Sequence, residues 1–156
     1  MKYFLALLAA ASFAALAGEI PDAKLTPGVA RTDLTVQAIC KKKWGKDARM
    51  VTAAMKRQVF RNYGFSGNAD PSCAPDKNGR HFEIDHLVSR ELGGADDVKN
   101  LWPECYSGKW GASVKDKLEN RLHKEVCAGN ITLKTAQDAI ANDWRIAYRK
   151  YFGEPK

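Results

Sequence analysis

The chain has 156 residues, of which 45% are hydrophobic and 28% are charged. This length favours one domain with a real core, and the composition is ordinary for a soluble globular protein rather than for a disordered chain. The formal net charge of +7 at pH 7 favours a polyanionic partner, because Lys and Arg displace counterions from nucleic-acid phosphates. Charge alone does not identify that partner.

The N-terminal segment has the pattern of a secretory signal. Lys2 precedes an apolar run over residues 3–16, and an A-x-A site lies at residues 15–17, so we expect cleavage before Gly18. The run is too short and too rich in alanine for a good membrane span; an uncleaved anchor or a buried helix is the alternative. Cleavage leaves 24 Lys and Arg against 18 Asp and Glu, a net charge of +6. The mature protein is then expected to be secreted or periplasmic, without membrane attachment.

The first half of the mature chain predicts an extended lead-in and two helices. Residues 18–32 contain two prolines and show little periodicity, so we expect an extended segment. A short helix is predicted over residues 34–40, and near-helical apolar spacing predicts a longer one over 50–63, which Gly64 ends. Four basic residues surround this second helix, and we interpret them as a solvated face, with phosphate contacts as the alternative. They are Arg49, Lys56, Arg57 and Arg61.

The middle of the chain predicts a loop, a strand and a tight turn. Residues 66–80 are rich in Gly, Pro and Asn and are expected to be loop. Alternating apolar residues over 82–88 fit a short strand weakly. A turn built around Gly93-Gly94 follows.

Two helices are predicted to complete the domain. The first begins at Ser113, carries apolar residues at every fourth position and ends at Gly129. Thr132 caps the second, whose apolar stripe is typical of core packing. The sequence therefore predicts a single α+β, mostly helical domain over residues 33–156.

Four cysteines are spread along the chain, at Cys40, Cys73, Cys105 and Cys127. The absence of a C-x-x-C pair argues against a zinc ribbon. An even number of cysteines in an exported protein predicts two disulfides. Their spacing leaves all three connectivities open.

The Asp85-His86 pair indicates the chemistry most directly. Hydrolysis of a phosphodiester needs a deprotonated water, neutralised transition-state charge and a stabilised leaving oxygen. An imidazole suits the first task near neutral pH, and a carboxylate-held divalent metal suits the other two. Neighbouring strand residues point to opposite faces, so the pair would share one face only in a twisted or bulged strand. Asn100 could fix that shape by hydrogen-bonding a backbone carbonyl near His86; a surface salt bridge is the alternative interpretation of the pair.

The order of Asp85-His86, Gly93-Gly94 and Asn100-Leu101 resembles the HNH endonuclease family, whose members carry a ββα-metal finger. More narrowly, the chain is similar to the small exported HNH proteins of bacteria over roughly residues 26–152, and the finger would lie at about residues 80–127. Further matching segments are Thr26-Pro27-Gly28, Ile39-Cys40, Tyr63-Gly64, Trp102-Pro103-Glu104, Lys115 to Glu119, Val126-Cys127, Ala136-Gln137 and Asp143-Trp144.

The resemblance implies a role for each matched residue. His86 would be the general base for water, Asp85 would be a metal ligand, and Asn100 would orient the loop and keep His86 in position. The implied metal is Mg²⁺, with Mn²⁺, Ni²⁺ or Zn²⁺ as alternatives. The implied substrate is DNA, with RNA as a second substrate, cleaved by a monomer with low sequence specificity.

The chain departs from the family pattern at Gly111, where the narrower group is expected to have an asparagine ligand. Three interpretations stay open. Asp116 or Glu119 substitutes as a metal ligand, although helix capping and surface charge also explain these two residues. Alternatively, Asp85 holds the metal together with water and substrate phosphate oxygens, or the protein binds nucleic acid without cleaving it.

Basic residues close to the motif in sequence are candidates for phosphate contacts. They are Arg80, Arg90, Lys109 and Lys115. Trp102 and Trp110 could stack on bases, although core packing also explains Trp102.

The resemblance also covers Cys40 and Cys127, which makes a Cys40–Cys127 disulfide the leading prediction. Cys73–Cys105 would be the second disulfide. It would tie the loop before the strand to the loop before the finger helix.

Overall fold

The computed structural model describes residues 18–42, 49–65 and 72–156. The predicted signal segment, residues 1–17, lies outside these ranges. Within these ranges, four α-helices and two strands follow one another. They are α1 (Val36–Lys41), α2 (Ala53–Asn62), β1 (Phe82–His86), β2 (Leu101–Cys105), α3 (Ala112–Cys127) and α4 (Leu133–Phe152). Over the described ranges, every helix is too short or too polar to cross a membrane.

Helices α1 and α2 both begin at a threonine cap. The Thr35 hydroxyl accepts from the Ala38 N–H at 3.2 Å, and the Thr52 hydroxyl accepts from the Met55 N–H at 3.2 Å. Each cap satisfies a backbone donor that the first helical turn leaves unpaired. Both predicted helices are therefore confirmed, and α2 ends close to Gly64, whose φ is +74°.

Strands β1 and β2 form a two-stranded antiparallel sheet in which Ile84 pairs with Pro103 and His86 with Leu101. The predicted strand is confirmed over its first five residues. The residue pattern did not predict β2, which contains a proline. A two-stranded sheet tolerates Pro103 because both of its strands are edges.

Helix α3 packs against α4, and this contact forms much of the core. Its buried apolar residues are Leu118, Leu122, Val126, Ala136, Ile140, Trp144 and Tyr148. Helix α3 begins at Ala112, one residue earlier than predicted, with Gly111 as its N-cap. Thr132 caps α4, and its hydroxyl accepts from the Thr135 N–H at 3.0 Å. Inside α4 the backbone leaves helical geometry at Asp143.

Two disulfides tie these elements together, and both have the predicted pairing. Cys40–Cys127 joins α1 to the end of α3 with a Cα–Cα distance of 5.6 Å. Cys73–Cys105 joins the loop before β1 to the end of β2 with a Cα–Cα distance of 5.3 Å. The structure thus confirms a mixed α+β fold in which a small sheet and α3 are cross-linked to their surroundings.

Candidate functional site

His86 lies at the end of β1 between two carboxylates, with 3% of its side chain exposed. Its Nε2 is 2.8 Å from Asp96 Oδ1, and its Nδ1 is 3.6 Å from Asp85 Oδ1. The strand register runs through both residues without interruption, since Asp85 pairs with Trp102 and His86 pairs with Leu101. No bulge is therefore needed for the Asp85 carboxylate to approach the ring.

Asp96 is a site residue that sequence reasoning missed. Burial raises the pKa of its carboxyl, but hydrogen bonds from the Met50 N–H and from His86 outweigh burial and hold the pKa below its usual range. The Met50 N–H donates to Asp96 Oδ2 at 2.8 Å. An ionised carboxylate can only accept hydrogen bonds, so Nε2 of His86 carries a proton. In the neutral ring, the lone pair is then on Nδ1, which is 3.6 Å from Asp85 Oδ1, a separation longer than a hydrogen bond.

Asn100 is fully buried and holds together the backbone that follows His86. Its side-chain NH₂ donates to the carbonyls of Val88 and Ala95, both at 3.0 Å. Its Oδ1 accepts from the N–H groups of Val88 at 2.9 Å and Val29 at 3.2 Å. The predicted hydrogen bond to a carbonyl near His86 is therefore present, and one amide joins three chain segments.

The Gly93-Gly94 turn lies within the loop that Asn100 holds. Gly93 has a φ of +79°, a conformation that side chains disfavour. A Cβ atom on Gly94 would lie 1.8 Å from the Val88 carbonyl oxygen. Both glycines are thus required by the backbone of the site, for two different physical reasons.

Lys115 lies in the interior of the protein, with none of its side chain exposed. Its Nζ is 2.5 Å from Glu119 Oε1, 3.4 Å from Glu104 Oε2 and 3.6 Å from Asp85 Oδ2. The predicted phosphate contact of Lys115 is wrong, because a buried ammonium paired with carboxylates is not available to a phosphate in solvent. Lys115 instead provides the internal positive charge for α3 and the sheet.

The carboxylates around Lys115 outnumber it. Burial raises the pKa of Glu104 well above its usual value, and burial raises the pKa of Glu119 to about 7, although the nearby Lys115 charge opposes both shifts. Oε1 of Glu104 is buried and has no hydrogen-bond partner among the described residues. Lys115 is shared by all three carboxyl groups, and Asp85 has a second cation in Arg49, whose guanidinium is 3.5 Å from Asp85 Oδ1.

Carboxylate oxygens are the donors that Mg²⁺ prefers, and Asp85 and Asp116 are two carboxylates here that keep access to solvent. Asp85 is the partly exposed member of the cluster, with 25% of its side chain accessible. Asp116 occupies an exposed position on α3, and partial desolvation of its carboxyl group, followed by the negative charge on Asp85, raises its pKa. Glu119 is hydrogen-bonded to Lys115. Asp85 therefore fits as a ligand, with Asp116 as the second candidate.

The glycine at position 111 is explained by close packing. A Cβ atom there would lie 2.6 Å from the Tyr106 carbonyl oxygen, so the N-cap of α3 has no room for a side chain. The residue that the family resemblance leads us to expect at this point cannot be accommodated without moving the turn that precedes α3.

A second group of potential ligands lies far along α3 from this site. In the described part of the chain, Cys40, His123 and Cys127 form the one group of three His, Cys, Asp or Glu residues whose ligand atoms lie within 4.8 Å of one another. The two sulfurs are joined in a disulfide, and a disulfide does not supply thiolate ligands. This group could therefore hold a metal only after reduction.

The remaining predicted contacts fall into exposed and buried sets. Arg80 is exposed, pairs with Asp76 at 2.7 Å and lies over the Tyr106 ring. Lys109 is exposed and pairs with Glu154 at 2.8 Å. Arg90 begins a short 3₁₀ turn, and its charge helps to lower the pKa of Asp96. Trp102 and Trp110 are buried, so neither is available to stack on a base.

No protein-family model, no curated protein and no solved structure matches the chain.

Proposed function

We propose that this chain is an exported, metal-dependent endonuclease that hydrolyses the phosphodiester bonds of DNA, and of RNA as a second substrate. The observation that carries the proposal is the Asp96–His86 pair, in which an ionised carboxylate holds one ring nitrogen and leaves the other facing Asp85. The order β1, β2, α3 is compatible with a ββα-metal finger, and the family resemblance supports the same assignment.

The proposed roles follow from the contacts of each side chain. Nδ1 of His86 accepts a proton from the attacking water, while Asp96 keeps the ring in the required tautomer and orientation. Asn100 fixes the loop behind the ring. Asp85, with Asp116 as the second candidate ligand, would hold a divalent ion, most simply Mg²⁺, that neutralises charge on the phosphate and stabilises the leaving oxygen.

The net positive charge supports a nucleic-acid substrate bound mainly through its phosphates. Arg80 and Lys109 are exposed, although each already pairs with a carboxylate that a phosphate would have to displace. Phosphate recognition predicts low sequence specificity and affinity that falls steeply with salt. The protein is proposed to act as a monomer in the periplasm or outside the cell, where its two disulfides would persist.

A second candidate function is nucleic-acid binding without catalysis. Two observations favour this function, because each reduces the number of ligands for a metal. Gly111 has no side chain, and Glu119 accepts a hydrogen bond from Lys115. Plasmid nicking distinguishes the two functions.

Replacement of His86 by alanine tests the proposal. With Mg²⁺ or Mn²⁺ present, the wild-type protein should nick supercoiled plasmid, and His86→Ala should lower the rate by about 10² to 10⁴-fold because the general base is lost. His123→Ala on α3 is the matched control and should keep the wild-type rate. Chelator should abolish nicking. Nicking that survives His86→Ala, or that no metal supports, would show that the catalytic proposal is wrong.

A further inference from the structure

A cleft of about 370 Å³ opens between α2 and the small sheet. Its lining combines three aromatic rings, two cations and one carboxylate. They are Phe60, Phe82, Tyr106, Arg49, Lys56 and Glu83. Pockets of roughly 300–1,000 Å³ suit small ligands, so this cleft has room for one nucleotide but not for a duplex.

The cleft adjoins the proposed catalytic site through Arg49. This guanidinium donates to the Ile84 carbonyl at 2.5 Å and lies 3.5 Å from Asp85 Oδ1. One lining residue therefore lies beside the carboxylate that is proposed to hold the metal ion at the scissile phosphate. A ligand in the cleft and a phosphate at Asp85 would be neighbours.

The interior of the cleft suits a flat ring with hydrogen-bond donors better than it suits a phosphate. Phe60 and Phe82 contact each other edge to face at 6.0 Å. The Tyr106 hydroxyl donates to Glu83 Oε2 at 3.1 Å, which orients the carboxylate as an acceptor. That negative charge repels a phosphate, whereas Lys56 is exposed on α2 and can meet a phosphate at the rim.

We propose that this cleft receives one unpaired nucleobase from a strand whose adjacent phosphate lies at Asp85, which makes single-stranded nucleic acid the preferred substrate. The inference rests on the proposed function for the position of the phosphate. A base in a duplex is stacked and paired, and extracting it costs a few kcal/mol. An unpaired base enters the cleft without that cost.

Binding measurements test the cleft without requiring cleavage. A fluorescein-labelled single-stranded 12-mer and the matching duplex are titrated with protein in chelator at one fixed salt concentration. Tyr106→Leu removes the ring but keeps an apolar side chain, and it should weaken single-strand binding by roughly tenfold, the usual effect of losing one base–aromatic contact. Duplex binding should stay unchanged.

The chain offers a matched control in Tyr151, a partly buried tyrosine on α4 that also lies under an arginine, Arg121, at 5.2 Å. Tyr151→Leu should leave both affinities unchanged. Equal losses in the two tyrosine variants, or equal losses for single strand and duplex, would overturn the proposal. Lys56→Gln changes an exposed position without altering packing, and it should weaken single-strand binding several-fold even if Tyr106→Leu fails to fold.

Sequencing of the cut ends separates this inference from the proposed function. In partial digests of single-stranded DNA, the base beside the cut should favour those with amino donors, and Glu83→Gln should change that preference. If cleavage depends on His86 but Glu83→Gln leaves the distribution of bases beside the cut unchanged, the proposal for the cleft is wrong while the proposed catalysis stands. If no cleavage occurs, the proposed catalysis is wrong, and the binding measurements still decide the occupant of the cleft.

Discussion

The two sides of Asp85 are built from different kinds of interaction. On one side, His86 is held by hydrogen bonds, from its ring to Asp96 and through the loop that Asn100 joins. On the other side, Lys115 is held by charge, among Asp85, Glu104 and Glu119. The hydrogen bonds around His86 fix the orientation of its ring. The carboxyl groups around Lys115 instead hold a positive charge in the interior.

This difference separates a role in chemistry from a role in stability. A ring nitrogen that faces a partly exposed carboxylate can exchange a proton with substrate water. An ammonium with no exposed surface cannot reach a substrate, but its loss leaves the buried carboxyl groups around it without their shared cation. Substitutions around His86 should therefore change the rate of cleavage, whereas substitutions around Lys115 should change the free energy of unfolding.

The largest effect is expected for Lys115→Met. This substitution removes the ammonium and leaves Asp85, Glu104 and Glu119 without their shared partner, which should lower the free energy of unfolding by about 3–5 kcal/mol. Denaturant unfolding at pH 7 measures the loss. Lys117→Met, at an exposed position two residues along α3, is the control and should cost less than about 0.5 kcal/mol. A loss below about 1 kcal/mol for Lys115→Met would show that the buried cluster is not held by this charge.

Asp96→Asn should have the next largest effect, and it should appear in activity. The amide no longer requires a proton on Nε2 of His86, so nicking should slow on the order of a hundredfold, in line with the loss of an orienting carboxylate behind a catalytic histidine. The melting temperature should change little. Asp97→Asn preserves the side-chain oxygen that accepts from the Lys99 N–H and should keep the wild-type rate. Equal rates for the two variants would remove Asp96 from the site.

The smallest effect is expected for Glu91, a further carboxyl group whose pKa responds to the negative charges of Glu119 and Asp116. Burial, then the negative charges of Glu119 and Asp116, raises the pKa of Glu91 from 4.5 to about 7. A carboxyl with a raised folded-state pKa stabilises the fold fully below its unfolded pKa and loses that contribution as pH rises through the folded value. The contribution of Glu91 to the free energy of unfolding should therefore fall between pH 4.5 and pH 7 and stay low above pH 7.

Glu91→Gln should remove that fall. In chelator at pH 8, the variant should be more stable than the wild type by about 1–3 kcal/mol, and near pH 4.5 the two should be nearly equal. Urea unfolding at both pH values measures the difference. A variant whose stability relative to the wild type is the same at both pH values would show that Glu91 does not carry the extra proton.

The helices and their caps were predictable because they depend on local patterns. Thr132 caps α4 as expected, since a threonine before a helical apolar stripe satisfies the first free N–H groups regardless of the rest of the fold. Strand β2 was not predictable from its own residues. Its five residues contain Pro103 and do not alternate, and only pairing with β1 makes them a strand.

The site was predictable where residues are close in sequence and missed where the fold brings them together. Asp85, His86 and Asn100 could be recognised as a motif. Asp96 was not predicted, because nothing in the sequence tells which of two adjacent aspartates turns towards the ring. Lys115 was predicted to contact phosphates because it is close to the motif in sequence, and nothing in its own segment indicates that it is buried. Its burial depends on Glu104, which comes from the unpredicted strand.

The close approach of the Tyr106 carbonyl to Gly111 limits how this chain can change over evolutionary time. A Cβ atom at position 111 would lie 2.6 Å from that oxygen, so a larger residue fits only after the turn over residues 106–108 has moved. An asparagine at this position is disfavoured until the turn is rebuilt, and a rebuilt turn brings no benefit without the asparagine. The two changes are therefore epistatic, because a side chain at position 111 fits only together with a rebuilt turn.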